Sequence, residues 1–238
     1  MNFTKNNIVG KIVADDYRTA TVFKSHKIDF CCQGNRTIET VCESAKIDAQ
    51  QIINELNDIN TDTQNTGIDF KSWENDLLAD YIEKKHHRYV LKRIPELKEY
   101  LNKVAKVHGE RHPELIEIEQ LFTASAHELL AHMQKEENIL FPYIRSMSAN
   151  AQQEVPHFGT VQNPISVMMQ EHDTEGERFR QIAKLSSDYT PPADGCTTYK
   201  VAFAMLKEFE EDLHLHIHLE NNILFPRAIE AEQKLAYA

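Results

Sequence analysis

One eleven-residue pattern occurs twice in this chain, as His132-Met-Gln-Lys-Glu136-Glu-Asn-Ile-Leu-Phe-Pro142 and His216-Ile-His-Leu-Glu220-Asn-Asn-Ile-Leu-Phe-Pro226, with seven identities. Each copy sets a carboxylate four residues after an imidazole. On an α-helix, positions i and i+4 are surface neighbours with Cβ atoms roughly 5–6 Å apart. Each copy can therefore turn one nitrogen and one oxygen ligand toward a single point. Two such rungs on two packed helices would make a two-metal site.

The surrounding residues support that chemistry. Leu129, His132, Met133, Glu136, Ile139 and Leu140 step at helical spacing, as do Leu213, His216, Ile217, Glu220, Ile223 and Leu224. Each set reads as a core-facing stripe interrupted by one His and one Glu. A buried carboxylate costs several kcal/mol unless it is paired or bound to a metal. A lone HxxxE would read as a solvated surface pair; its repetition at matching places reads as a site.

Two more helices should contribute. One holds a single candidate, His172; the other offers the adjacent pair His86 and His87. With a helix turn near Gly109, His87 lies 22 residues before it and His132 23 residues after it, so both stand at the same depth. His108 sits at the turn, about 30 Å along the axis, and with His112 is expected to shape the connection. His214 and His218 lie roughly 200° around the helix from His216. Helical phase does not separate His86 from His87. The resulting set of four imidazoles with Glu136 and Glu220 suits iron, manganese or zinc better than copper(I). Two bridging carboxylates would hold the ions about 3.5–4 Å apart. Glu128 and Glu171 are candidates to orient an imidazole or line an access route.

These residues must be carried by long helices, and the composition allows them. The chain has 238 residues, 41% hydrophobic, with only 7 Gly and 8 Pro. Helical patterns run from about 75 to 107, with Pro95 expected to bend the first, then from His112 to Met147, Ile165 to Leu185 and Thr198 to Glu232. The expected fold is all-α, an antiparallel four-helix bundle over 75–238. It is preceded by a small helical N-terminal domain, 1–62, and a linker, 63–74. The net charge of −11 disfavours nucleic acid as a partner. No apolar stretch approaches the ~20 residues that span a bilayer, so no membrane partner is expected. The N-terminus lacks a signal-peptide core, and the protein reads as cytoplasmic. Four cysteines are too few and too oddly placed for a disulfide framework. Cys31 and Cys32 sit in a turn and could relay electrons, hold iron or dock a cluster, or else pack as small apolar residues. Cys42 and Cys196 read as structural.

The order His, HxxxE, His, HxxxE on four helices resembles hemerythrin-like domains. Asp29-Phe-Cys31-Cys32-Gln-Gly34 resembles the N-terminal domain of the Repair of Iron Centres (RIC) family, as do Ile94-Pro-Glu-Leu97, Pro164-Ile-Ser-Val167, Glu171-His-Asp173 and Pro191-Pro-Ala-Asp-Gly-Cys196. The likeness spans nearly the whole chain. It implies two iron ions per chain, oxo- and carboxylate-bridged, with ligands at His87, His132, Glu136, His172, His216 and Glu220, and it selects His87 over His86. It further implies repair of iron–sulfur clusters damaged by nitric oxide or oxidants, by iron donation, with the damaged iron–sulfur proteins as partners. The alternatives are nitric oxide reduction, or sensing and binding of O2 and NO; homodimerisation stays open. Gln33 departs from the Gly that members often carry after the cysteine pair. The neighbouring Gly34 is expected to keep the turn permissive.

Overall fold

The computed structural model describes residues 3–61, 68–148 and 156–236, where the regular structure is helical apart from one isolated bridge between Ile8 and Thr37. The expected linker is partly covered, since 62–67 lie outside the described residues. The chain divides into two compact units, 1–78 together with 217–238, and 79–216.

The first unit opens with four helices: α1 (Val9–Asp15), α2 (Ala20–Ser25), α3 (Ile38–Ala45) and α4 (Ala49–Thr61). Their apolar positions, among them Val9, Ile12, Phe23, Ile38, Ile52 and Leu56, are fully or nearly fully buried. Local chemistry sets the boundaries. Thr37 accepts the N–H of Thr40 at the start of α3, and Asp16 accepts that of Arg18 before α2, each satisfying a donor that helix geometry leaves open. Between α2 and α3, Asp29 Oδ1 accepts the N–H groups of Cys31, Cys32 and Gln33 at 3.0, 3.0 and 3.3 Å. Gly34 closes this turn, but not through a left-handed conformation; among the described residues Gly159 is the glycine with positive φ. Gly34 is required by close approach: a Cβ there would stand 2.2 Å from the carbonyl oxygen of Phe30 and 3.0 Å from Gly10 Cα.

The helices that follow are α5 (Asn75–Tyr81), α6 (Arg88–His108), α7 (Glu114–Lys135), α8 (Phe141–Ser148), α9 (Gln162–Leu185), α10 (Thr197–Leu219) and α11 (Phe225–Ala236). They build the expected four-helix, hemerythrin-like architecture, with α6 continuing unbroken through Pro95. Pro113 precedes α7, whose first turn carries Glu114 and Glu117, a charge that complements the helix dipole. In the second unit the apolar layer centres on Phe209, with Phe122 edge-on at 5.4 Å and Phe179 stacked at 5.7 Å. Each such buried side chain contributes about 1.5–3 kcal/mol.

Three long helical runs are interrupted by π-helical turns: Ile82–His87, Glu136–Leu140 and Glu220–Leu224. Each turn begins or ends on one of the ligand candidates. The wider turn changes the phase of the helix, and π turns gather at functional sites. This phase change overturns one expectation. Ile139, assigned above to the inward stripe, is 37% exposed, whereas Leu140 and Phe141 are buried. Its counterpart Ile223 is buried because its π turn packs on α1 within the first unit.

Candidate metal centre

The second unit gathers His87, His132, Glu136, His172 and His216, all buried, with Glu136 and His87 at 0% exposure. The imidazoles meet in two pairs. His87 Nε2 lies 3.2 Å from His216 Nε2, and His132 Nε2 lies 3.1 Å from His172 Nε2. Glu136 serves both pairs through one oxygen: Oε2 is 3.4 Å from His87 Nε2 and 3.3 Å from His132 Nε2. One carboxylate reaching two imidazole pairs is the arrangement that a bridging ligand requires.

The distances fit metal ligation. Two ligands each about 2.1 Å from one ion stand about 3.0 Å apart at a right angle and about 3.4 Å apart at the tetrahedral angle. All four separations fall within or close to that interval. The ring nitrogens facing away from the cluster are fixed by carboxylates. His87 Nδ1 donates to Glu137 Oε1 at 2.9 Å, and His132 Nδ1 donates to Glu171 Oε2 at 2.8 Å. Protonation at Nδ1 leaves the Nε2 lone pair pointing inward, the tautomer that a metal ligand needs. The hydrogen bond from His132, aided by Lys135, holds the Glu171 carboxyl down at about 2.

Glu220 follows His216 by four residues on the same helical run and is fully buried within the first unit. His86 is buried beside the cluster. Its ring stacks on His216 at 5.6 Å with 9° between planes, and its Nδ1 meets Asp212 Oδ2 at 3.0 Å. Both neighbouring histidines are therefore internal, which the π turn permits and a regular helix phase does not suggest. His218 lies in the first unit, packed on Tyr17 and Phe30; burial pushes its imidazole down to about 3. His108 and His112 do shape the helix connection: His108 Nε2 lies 3.2 Å from Cys196 Sγ, and His112 meets Glu114 and Asp194.

Sequence reasoning missed Glu137 and Asp212 as imidazole partners. The Glu136-Glu137 doublet was the one available signal for the first. Glu128, half exposed, pairs with Arg178 at 2.9 Å. Glu171 orients His132 and not the adjacent His172, because successive helix positions point about 100° apart. A second buried carboxylate, Glu175, also went unnoticed. Ser125 Oγ donates to it at 2.5 Å and Arg178 pairs with it, while burial pushes its carboxyl above the usual range.

The cysteines separate by environment. In the first unit Cys31 is buried, with Sγ 3.7 Å from Cys32 Sγ and 3.4 Å from Asp29 Oδ1. The hydrogen bond with Cys32, burial and the Asp29 charge push the Cys31 thiol well up. Cys42 is buried, as a packing role requires. Cys196 is exposed and meets His108 through its sulfur. It lies at the start of α10, where the N–H groups of Tyr199 and Thr198 pull its thiol down.

The comparisons with known proteins agree with this geometry. Residues 78–228 match the family described as "Hemerythrin HHE cation binding domain", and residues 5–60 match the ScdA N-terminal family, described as a domain of unknown function. The chain is 33% identical over 222 residues to the iron-sulfur cluster repair protein ScdA of Staphylococcus haemolyticus, covering 93% of this chain and 97% of that protein. It is 32% identical over 232 residues to the iron-sulfur cluster repair protein YtfE of Yersinia pestis, covering 96% and 99%. With both family matches in the expected order, a buried His/Glu cluster in the bundle, and relatives aligned over nearly their full length, this chain belongs to the Repair of Iron Centres family.

Proposed function

We propose that the chain repairs damaged iron–sulfur clusters by donating iron from a two-iron centre. His87 and His216 would hold one ion and His132 and His172 the other, with Glu136 and Glu220 as the carboxylates shared between them. The observation that carries this reading is Glu136 Oε2, placed 3.4 and 3.3 Å from one imidazole of each pair. Glu220 joins by its four-residue step from His216. Nitrogen and oxygen donors without thiolate suit iron, and the names of the relatives supply the repair role.

The chain's residues do three things for that task. Glu137 and Glu171 keep the Nε2 atoms of His87 and His132 aimed inward. The buried rings of Phe122, Phe179 and Phe209 give the bundle a packed apolar layer. Four neutral imidazoles against two carboxylates leave the centre less negative than a Glu-rich one, so ferric ions are held less tightly and reduction loosens them further. When bound, iron is cargo, and the recipient is an iron–sulfur protein in the same compartment, here the cytoplasm. No helix among the described residues is long and apolar enough to cross a membrane.

The test is transfer of isotopically labelled iron from the full-length protein to an apo or nitrosylated cluster protein. Wild type transfers label and restores the recipient's cluster. Glu136→Leu and Glu220→Leu variants that restore it equally well overturn the proposal.

A further inference from the structure

The first unit holds a second group of ligand atoms that the two-iron centre does not use. One atom each from Asp29, Cys31 and Cys32 lies within 4.8 Å of the others. We infer that these three residues form a separate, mononuclear site for a thiophilic divalent cation.

The spacing of the sulfurs is the first argument. Two thiolates bound at about 2.3 Å to one tetrahedral ion stand about 3.8 Å apart. Cys31 Sγ and Cys32 Sγ are 3.7 Å apart. That separation is far too long for a disulfide at about 2.05 Å and matches the spacing of two sulfurs on one cation.

The second argument is that the turn is built to hold this spacing. Side chains of adjacent residues in extended chain point to opposite faces. Here three successive N–H groups close on Asp29 Oδ1, and both sulfurs emerge on one side. Independent restraints fix the same turn. Asn221 Nδ2 donates to the Cys31 carbonyl at 3.3 Å, Asn222 Nδ2 donates to the carbonyls of Phe30 and Cys31 at 3.3 Å, and Gly10 N donates to Gly34 O at 2.7 Å. A pair of small packing residues needs no such clamp. A ligand set held at fixed spacing by its supporting residues does.

The third argument is access. Cys31 is buried while Cys32 and Asp29 are half-buried, so the ion would reach the site from the Cys32 side. Three protein ligands leave a fourth tetrahedral position open, the mark of a site where something exchanges rather than of a closed structural one. Thiolate donors select softer cations than the His/Glu cluster does. In the proposed iron-donating protein the natural ion is ferrous iron, held here singly on its way in or out. Only that identity rests on the proposed function; the site itself does not.

The experiment adds cobalt(II) alone, anaerobically, to the full-length protein carrying its own metals. The readout is the near-ultraviolet thiolate-to-cobalt charge-transfer band, which imidazole and carboxylate ligands cannot produce. Wild type, Cys42→Ser/Cys196→Ser and Glu136→Leu proteins give the band at about one cobalt per chain. Cys31→Ser/Cys32→Ser abolishes it while the circular dichroism stays unchanged. Asp29→Asn, whose side-chain oxygen still accepts the turn's N–H groups, weakens cobalt binding about tenfold or more. No band in wild type, a band that survives the double serine variant, or its loss in Glu136→Leu overturns the inference. Cobalt bound without any iron transfer leaves this site standing and removes the proposed function; iron transfer with no thiolate band does the reverse.

Discussion

His132 Nδ1 donates to Glu171 Oε2 at 2.8 Å, although Glu171 is the chain neighbour of a different imidazole, His172. The bond crosses from α7 to α9 and ties the rotation of the His132 ring to the other helix. With Lys135 also on this carboxylate, the His132 ring is locked with Nε2 facing the cluster.

Replacing Glu171 by Gln keeps the shape and removes the charge. Metal affinity at the His132–His172 pair should fall about 10–100-fold, measured by competition with a chelator. The Glu171 carboxyl titrates at about 2, below its ordinary range. The stabilisation it gives is therefore complete above the unfolded value near 4.5 and is lost only as pH falls toward 2. Wild-type affinity between pH 5 and 8 should show no inflection that Glu171→Gln removes.

Glu175 behaves in the opposite sense. Burial raises its carboxyl above the model-peptide value, against the pull of Ser125 and Arg178. Above about pH 4.5 the folded state then holds more protons at this position than the unfolded state, so its contribution to stability falls as pH rises. Glu175→Gln should gain stability relative to wild type as pH goes from 4.5 toward neutrality, read from urea midpoints across the range. A variant whose difference from wild type is flat with pH would contradict this.

Gly34→Ala tests the clamped turn. The added methyl group would stand 2.2 Å from Phe30 O, a backbone atom, so the turn must open. Overpacking of this kind costs about 1–3 kcal/mol. The Cys31 and Cys32 thiols should react with a disulfide reagent markedly faster than in wild type, while Cys196, exposed in both, reacts at the same rate.

The repeated HxxxE pattern made much of this molecule legible. Spacing alone aligned His132 with Glu136 and His216 with Glu220, and helical period with breaker residues set the α6–α7 turn and the loops on either side of α9. What spacing could not carry was the three π turns. A regular 100° step places Ile139 inward and treats His86 and His87 as alternatives; a π turn exposes the first and buries both of the others. Nothing local in Ile82–His87 distinguishes a wider turn from an ordinary one. Contacts such as His132 with Glu171 or His86 with Asp212 depend on rotations between helices distant in sequence. Only the resemblance to a known family supplied the choice of His87.

In the proposed centre Glu136 is a carboxylate shared by both imidazole pairs. The most direct test of that centre is iron analysis of freshly purified full-length protein beside its Glu136→Leu variant. The account predicts about two irons per chain in wild type and loss of both in the variant. One iron or none in wild type, or a variant that keeps its full complement, would contradict it.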